Sequence, residues 1–428
     1  MDLVRSKQKS GDLHPFTFLS ESFIFDPTTH SIFSVQDIES KELQQEIEKA
    51  IQCGYFTRSV PNQFTDSRVF KSLCLIITQK CNFRCTYCFE KGKKTTSSED
   101  VMSVEIGKKS LDLITNLSKN RINIEVDFFG GEPLLYMDTL MKIIGYGREL
   151  EKKYDKKFWF SLTTNASLLT EKMIDFLKQE NISLILSIDG CEKNHNKYRV
   201  YENGRGTFVD TLKGIQKVIQ SGHEGYYARG TYTRETPDFL NQVFYLENLG
   251  INQISFEPVV SNDPAIGFSQ HDLPLLKKQY EELAKEYLIH RETNKNLRFY
   301  HFEVDLEEGA CLPKLLTSCG AGVEYLSVSP NGKLYPCHQF DGNSEYELGN
   351  VEQGIQNHPL VEEFRDLTQV AKKEKCMLCW ARTLCGGGCL ANNLSINKNL
   401  SSLYDLGCEI QKIRLEAALY VQTKLKRA

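Results

Sequence analysis

Between Leu73 and Val259 the chain alternates, six times, between a short β-branched and aromatic run and a more polar stretch. The strand-like runs are LCLIIT, NIEVDFF, FWFSLTT, ISLILSID, YYARGTYT and QISFEPV. Helical stretches lie between most of them, among them VEIGKKSLDLITNL, TEKMIDFLKQE and FVDTLKGIQKVIQSG. Strands separated by helices pair in parallel through right-handed crossovers rather than as hairpins. The expected class is therefore α/β, a parallel sheet whose chemistry gathers at the carboxyl ends of its strands.

At 428 residues the chain is too long for one ordinary core. Four consecutive segments are expected: 1–70, 71–260, 261–310 and 311–428. The first holds SFIFDPTTHSIFSV, two short runs around a proline turn that predict a hairpin, and then the polar, helical SKELQQEIEKAIQCGYF. A long helix near LPLLKKQYEELAKEYLIHRE bridges to a tail with Gly-rich turns (CGAG, SPNGKLYPC, CGGGC). Such a tail can hardly assemble a core without metals or crosslinks.

The formal net charge of -4 argues against a nucleic-acid-coating surface. No apolar run approaches the roughly 20 residues that span a bilayer, and the N-terminal MDLVRSKQKSGDLHPF lacks the core of a signal peptide. A cytoplasmic location, with no membrane partner, is expected. There, 14 cysteines are better explained by metal or redox chemistry than by disulfides. Three fall at 81–88 and eight at 311–408. Of the isolated ones, Cys74 reads as a core residue.

ITQKCNFRCTYCFE follows directly on the first strand and places Cys81, Cys85 and Cys88 at the active rim of the sheet. Three thiolates at this spacing can hold three irons of a [4Fe–4S] cube and leave the fourth open. A zinc site completed by a distant histidine is the bland alternative. The loop resembles the CxxxCxxC signature of the radical S-adenosylmethionine (radical SAM) superfamily, including the aromatic residue, Tyr87, before the last cysteine. By that resemblance S-adenosylmethionine fills the open iron corner, and its reductive cleavage yields a 5′-deoxyadenosyl radical.

Other stretches are similar to the same family. FFGGEPLL ends the second strand, and Gly130, Gly131, Glu132 and Pro133 match the GGEP turn that receives the cofactor's amino group. SLTTNASLL resembles the family's TNG-type turn, with Ala166 in place of glycine, and puts Thr164 and Asn165 on the ribose side. Ser187 and Asp189 of LSIDG and Arg229 of ARGTYT complete the implied cofactor contacts. Each of these polar residues also suits a plain strand-end cap. Their order along the chain favours the cofactor reading.

The tail matches, cysteine for cysteine, the SPASM extension of radical SAM peptide-modifying enzymes. The resemblance assigns Cys319, Cys337 and Cys389 to one auxiliary [4Fe–4S] cluster, with Cys311 as its candidate fourth ligand, and Cys376, Cys379, Cys385 and Cys408 to a second. A zinc ribbon is the alternative for Cys376 to Cys389. His338 and Trp380 flank ligands and read as packing residues. The implied architecture is a partial (β/α)6 TIM-like radical SAM barrel followed by a SPASM domain. S-adenosylmethionine and three [4Fe–4S] clusters are the implied cofactors.

CGAGVEYLSVSPNGKLYPCHQFDG and FEPV look most like the maturases of SCIFF and other ranthipeptides, which join a cysteine sulfur to a carbon of an acceptor residue. The resemblance thus implies thioether formation in a ribosomal precursor peptide. A leader-binding role for the N-terminal segment, and a small reductant such as flavodoxin or ferredoxin, go with it. An anaerobic sulfatase-type maturase, with Asp189 or Glu257 as candidate base, is the rival within the class. A multi-cluster electron carrier is the rival outside it.

Overall fold

The computed structural model describes residues 13–36, 38, 41–53, 69–89, 100–307 and 318–427. The chain forms two compact units that interleave in sequence. One comprises Met1–Ser67, Ser269–Cys319 and Leu367–Ala428, the other Arg68–Phe268 and Gly320–Asp366. The cysteine-rich tail is therefore shared between units, whereas its composition alone suggests one segment from 311 onward.

The first unit opens with an antiparallel sheet of β1 (His14–Phe18), β2 (Glu21–Phe25) and β3 (Ile32–Val35), with β2 in the middle. The β2–β3 turn is held by Asp26, whose carboxylate accepts from Thr28 N at 2.8 Å and Thr29 Oγ1 at 2.7 Å. β1 lies beyond the predicted hairpin, and Pro15 suits its place at the edge, where a ladder N–H is not needed. Helix α1 (Lys41–Gln52) follows, as its polar–apolar spacing predicts.

The second unit is built on six strands: β4 (Ser72–Thr78), β5 (Asn123–Gly130), β6 (Lys157–Thr164), β7 (Ser183–Ser187), β8 (Tyr226–Tyr232) and β9 (Gln253–Pro258). They pair in parallel in chain order. Helices α2 (Val104–Leu117), α3 (Met137–Tyr154), α4 (Glu171–Gln179), α5 (Glu192–Tyr198), α6 (Phe208–Gln220) and α7 (Phe239–Asn248) form the crossovers. Alternate strand residues such as Ile124, Val126 and Phe128, or Phe158, Phe160 and Leu162, are buried. The intervening positions carry Asp127, Ser161, Thr163, Ser187, Arg229 and Glu257 on the other face. That face carries these polar groups among Phe129, Trp159 and Ile185, and it leads up to the carboxyl ends.

The sheet continues past β4. The strand Tyr325–Val328 pairs with β4 in parallel, Tyr325 opposite Ser72 and Val328 opposite Leu75, and Lys333–Tyr335 returns antiparallel to it. Lys71 secures the junction, with Nζ 2.7 Å from Glu324 Oε2.

The chain then completes the first unit. Helix α8 (Leu273–Thr293) packs along the C-terminal helix Asp405–Arg427. β1 and β2 meet that same helix through His14 and Glu416, 3.0 Å apart, and Glu21 and Lys424, 2.6 Å apart. Among the described residues no helix is long and apolar enough to cross a membrane.

Candidate functional site

The loop bearing Cys81, Cys85 and Cys88 leaves β4 at Thr78 and is held against the end of β5 by backbone hydrogen bonds. Gly131 N donates to Thr78 O at 2.7 Å, and Glu132 N to Lys80 O at 2.9 Å. Only glycine permits this approach. A Cβ on Gly130, which has φ +136°, would stand 2.2 Å from Thr78 O, and one on Gly131 would stand 2.2 Å from Lys80 O. Buried Phe83 anchors the middle of the loop, while Arg84 N and Thr86 N donate to Val200 O and Tyr198 O.

The three thiols lie half-buried and in each other's field. Burial pushes Cys81 up to about 12, and Glu132, Cys85 and Cys88 add to the rise; Phe83 N, 3.3 Å from Cys81 Sγ, opposes it. Burial pushes Cys85 up to about 11, against the opposing Arg199 guanidinium. Thiols raised like Cys81 and Cys85 become thiolates together only when a cation core binds them, with release of their protons. An iron–sulfur core meets that requirement, and the N–H···S contact from Phe83 suits a cluster sulfur. The residues fit the group.

Glu132 is fully buried, and its carboxylate joins the ends of β5 and β6. It accepts from Thr164 Oγ1 at 2.7 Å, Asn165 N at 2.8 Å and Leu134 N at 3.1 Å. Burial pushes it up to about 7 against those three donors. Pro133 begins the short 3-10 turn that Glu132 caps. Asn165 then reaches the cysteine loop itself, with Nδ2 donating to Asn82 Oδ1 at 2.8 Å, and Asn82 Nδ2 donates to Ser167 Oγ at 2.9 Å. Ala166 takes φ +63°, the left-handed conformation that a glycine would adopt without strain.

At the end of β7 the buried Asp189 is saturated. Arg199 binds it through Nε to Oδ2 at 3.0 Å and Nη2 to Oδ1 at 3.1 Å. Tyr87 Oη donates to Oδ2 at 2.5 Å, and Thr231 N to Oδ1 at 2.8 Å. The Arg199 guanidinium also lies 5.5 Å from the centre of the Tyr87 ring. Asp189 and Tyr87 thus fix Arg199 beside Cys85. Behind them His195 accepts from Asp189 N through Nδ1 at 3.3 Å and meets Thr207 Oγ1 through Nε2 at 2.9 Å. Burial pushes His195 down to about 3.

Ser187 and Arg229 stand opposite each other in the β7–β8 register, Ser187 half-buried and Arg229 exposed. Burial pushes Asp127 on β5 up to about 7, although Ser161 Oγ donates to it at 2.9 Å and the Arg229 guanidinium opposes the rise. Sequence reasoning missed Arg199, His195, Asn82 and Asp127. The polar residue inside CNFRC and the carboxylate at an inward position of VDFF were the available signals.

In the first unit, Cys376 lies in the electrostatic field of Cys385 and Cys379, and Cys408 in that of all three; burial pushes Cys408 up to about 11, and the three raise it further. Cys389 lies in the field of Cys319, which adds to the rise that burial gives it. Cys337 belongs to the second unit, where it is buried in the field of Cys74 and Tyr325, and Tyr325 Oη lies 3.2 Å from Nδ1 of His338. Trp380 stacks on His14 with ring centres 3.9 Å apart, a packing role. Cys311 lies outside the described residues. Among the described residues no disulfide forms, and no three His, Cys, Asp or Glu side chains are grouped as ligands of a single ion.

Known proteins place this geometry in context. Residues 75–239 match the Radical SAM superfamily, and residues 319–380 match SPASM, an iron–sulfur cluster-binding domain. An uncharacterized protein of Methanocaldococcus jannaschii is 31% identical over 188 residues, a stretch covering 44% of this chain and 62% of that one. The radical SAM cyclopropyl synthase TigE of Paramaledivibacter caminithermalis is 21% identical, with 81% and 74% covered. A cysteine-type anaerobic sulfatase-maturating enzyme of Clostridium novyi is 25% identical, with 75% and 89% covered.

Two solved structures share the fold. One is anSMEcpe with bound AdoMet and a peptide, at TM-score 0.65 and 22% identity, covering 83% of this chain and 99% of that one. The other is Streptococcus suis SuiB bound to its precursor peptide SuiA, at TM-score 0.55 and 17% identity, covering 93% and 99%. Radical SAM and SPASM domains imply S-adenosylmethionine and iron–sulfur clusters as cofactors. The chain carries a radical SAM domain at residues 75–239 and, after it, a SPASM iron–sulfur cluster-binding domain at residues 319–380.

Proposed function

We propose that this protein is a maturase that closes thioether bonds in a ribosomally made, cysteine-rich precursor peptide. The observation that carries the reading is the pairing of a three-cysteine loop, seated on a GGEP turn, with tail cysteines that share one another's electrostatic field. Likeness to SuiB, solved with its precursor peptide, supports a peptide substrate. The reading assigns three [4Fe–4S] clusters: one to Cys81, Cys85 and Cys88; one to Cys319, Cys337 and Cys389 with Cys311; and one to Cys376, Cys379, Cys385 and Cys408.

When bound, the first cluster and S-adenosylmethionine supply a radical that removes a hydrogen atom from the acceptor carbon. The chain's residues orient and shield. The backbone of Gly130 and Gly131 would receive the cofactor's amino group, and Glu132 locks that turn to Thr164 and Asn165, which would stand on the ribose side. Arg229 and Ser187 stand where a carboxylate and a hydroxyl would be met. Asp189 holds Arg199 and leaves no oxygen spare, so it serves as a positioning residue. Bonding a thiol sulfur to a carbon radical releases one proton and one electron, and the tail cysteines would hold a cluster able to accept that electron. The peptide's leader would add a strand to an edge of the β1–β3 sheet. A flavodoxin or ferredoxin of the cytoplasm would supply the starting electron.

Enzyme, reductant and S-adenosylmethionine incubated anaerobically with a co-encoded cysteine-rich peptide should yield a product lighter by two hydrogens, with one thiol closed to alkylation. Conversion of a cysteine or serine to formylglycine would instead establish the sulfatase-type reading, which the likeness to the Clostridium novyi enzyme favours. Absence of 5′-deoxyadenosine under all conditions would leave only an electron carrier.

A further inference from the structure

Lys373 opens the short segment that carries Cys376 and Cys379. Its carbonyl accepts from Cys376 N at 2.9 Å and Met377 N at 3.0 Å, which starts the turn. Lys372, Glu374 and Lys375 on either side are exposed, but Lys373 is half-buried. Its Nζ donates to Gly387 O at 2.8 Å. A Cβ on Gly387 would stand 3.0 Å from that Nζ and 3.4 Å from Lys373 Cδ. Gly387 is the middle of three successive glycines, Gly386, Gly387 and Gly388, at φ +77°, +90° and +79°. The loop joining Cys385 to Cys389 is thereby shaped around an ammonium group.

Five cysteines share the field of that ammonium: Cys376, Cys385, Cys319, Cys408 and Cys389. Burial pushes Lys373 below its usual range, and the cysteines oppose the shift. Among the described residues no carboxylate pairs with it. A cation withdrawn from water needs anions facing it. Buried thiols become such anions on binding metal.

We propose that Lys373 is a fixed counter-charge for the auxiliary iron–sulfur clusters, one that stabilises their reduced forms and raises their reduction potentials. The inference rests on reading the tail cysteines as cluster ligands, and on nothing about the peptide or its crosslink. A cluster held by thiolates becomes more negative by one charge when it takes an electron, so a nearby cation favours that state. Cys319 and Cys389 are assigned to one cluster, and Cys376, Cys385 and Cys408 to the other. One ammonium thus favours electron entry at both.

The test is a potentiometric titration followed by electron paramagnetic resonance, on anaerobically reconstituted full-length protein. A Cys81→Ala/Cys85→Ala/Cys88→Ala background leaves only the auxiliary clusters to be read. Lys373→Met should move their midpoint potentials to more negative values, and Lys373→Arg should leave them near the parent's. Unchanged potentials in iron-replete Lys373→Met protein would overturn the proposal, as would an equal shift in Lys373→Arg. If the methionine variant does not retain iron, Lys373→Gln carries the same comparison. Iron loss in both neutral variants with retention in the arginine variant supports the counter-charge, and loss in all three refutes it. Background protein with intact Lys373 that binds no iron would overturn the cluster assignment instead, a separate result.

Discussion

Arg199 and Asp189 meet side-on, two nitrogens to two oxygens, with both side chains almost wholly withdrawn from solvent. A buried pair of this kind costs most when only one member is removed, because the other is left charged and unpaired. Asp189→Asn or Arg199→Met should each destabilise the protein by about 3 kcal/mol. The double substitution should cost clearly less than the sum, as measured by a double-mutant cycle in urea. Additive costs would mean that the pair contributes nothing as a pair.

Gly131→Ala places a methyl carbon against Lys80 O. The cysteine loop must move or the turn must open, at about 2–3 kcal/mol. Reconstituted Gly131→Ala should hold less iron than the parent, by up to one cluster, although no ligand has been touched. Full iron content with an unchanged melting temperature would show that the turn can yield freely.

His195 gives the fold a dependence on acid. Its folded value lies near 3, below the ordinary 6.5 of the unfolded chain, so the unfolded state takes up the proton first as pH falls. Stability is therefore intact above about pH 6.5 and declines below it, by about 1.4 kcal/mol at one unit lower. His195→Gln should flatten that decline. Denaturant midpoints between pH 7 and 5 measure it.

Asp127 acts in the opposite sense. Its folded value near 7 exceeds the ordinary 3.8, so the folded state keeps a proton that the unfolded chain releases. Stability from this group falls as pH rises from about 4 to about 7 and is level beyond. Burial sets this, against the Ser161 hydrogen bond and the Arg229 guanidinium. Asp127→Asn should gain on the parent across that window, and melting temperatures taken at several pH values would show whether the gap widens.

The parallel sheet and the first cysteine loop were legible because both signals are local. Alternation in NIEVDFF and FWFSLTT, and the spacing of Cys81, Cys85 and Cys88, need no knowledge of distant partners. What stayed hidden depends on which distant element is met. Tyr325–Val328 looks like any short strand, and nothing within it names β4 as its neighbour. Arg199 sits in a polar helix end, and only the fold brings it to Asp189 and Tyr87. Glu132 was read as a cofactor contact from its motif, and its fully engaged carboxylate appears only once Thr164 and Asn165 are seen around it. The shared tail, part with β4 and part with β1, follows from pairings that composition does not encode.

His14 and Glu416 touch although 402 positions separate them, and Glu21 likewise waits for Lys424. A ribosome adding about 5–20 residues per second needs roughly 20–80 s to bridge that interval. During it, the newborn sheet β1–β3 has no helix to cover its apolar side. The parallel strands, complete far earlier, can close while synthesis continues. Delivery of iron and sulfide to these two regions would accordingly be staggered in time, the loop after β4 first and the cysteines near Asp405–Arg427 only once that helix has been made.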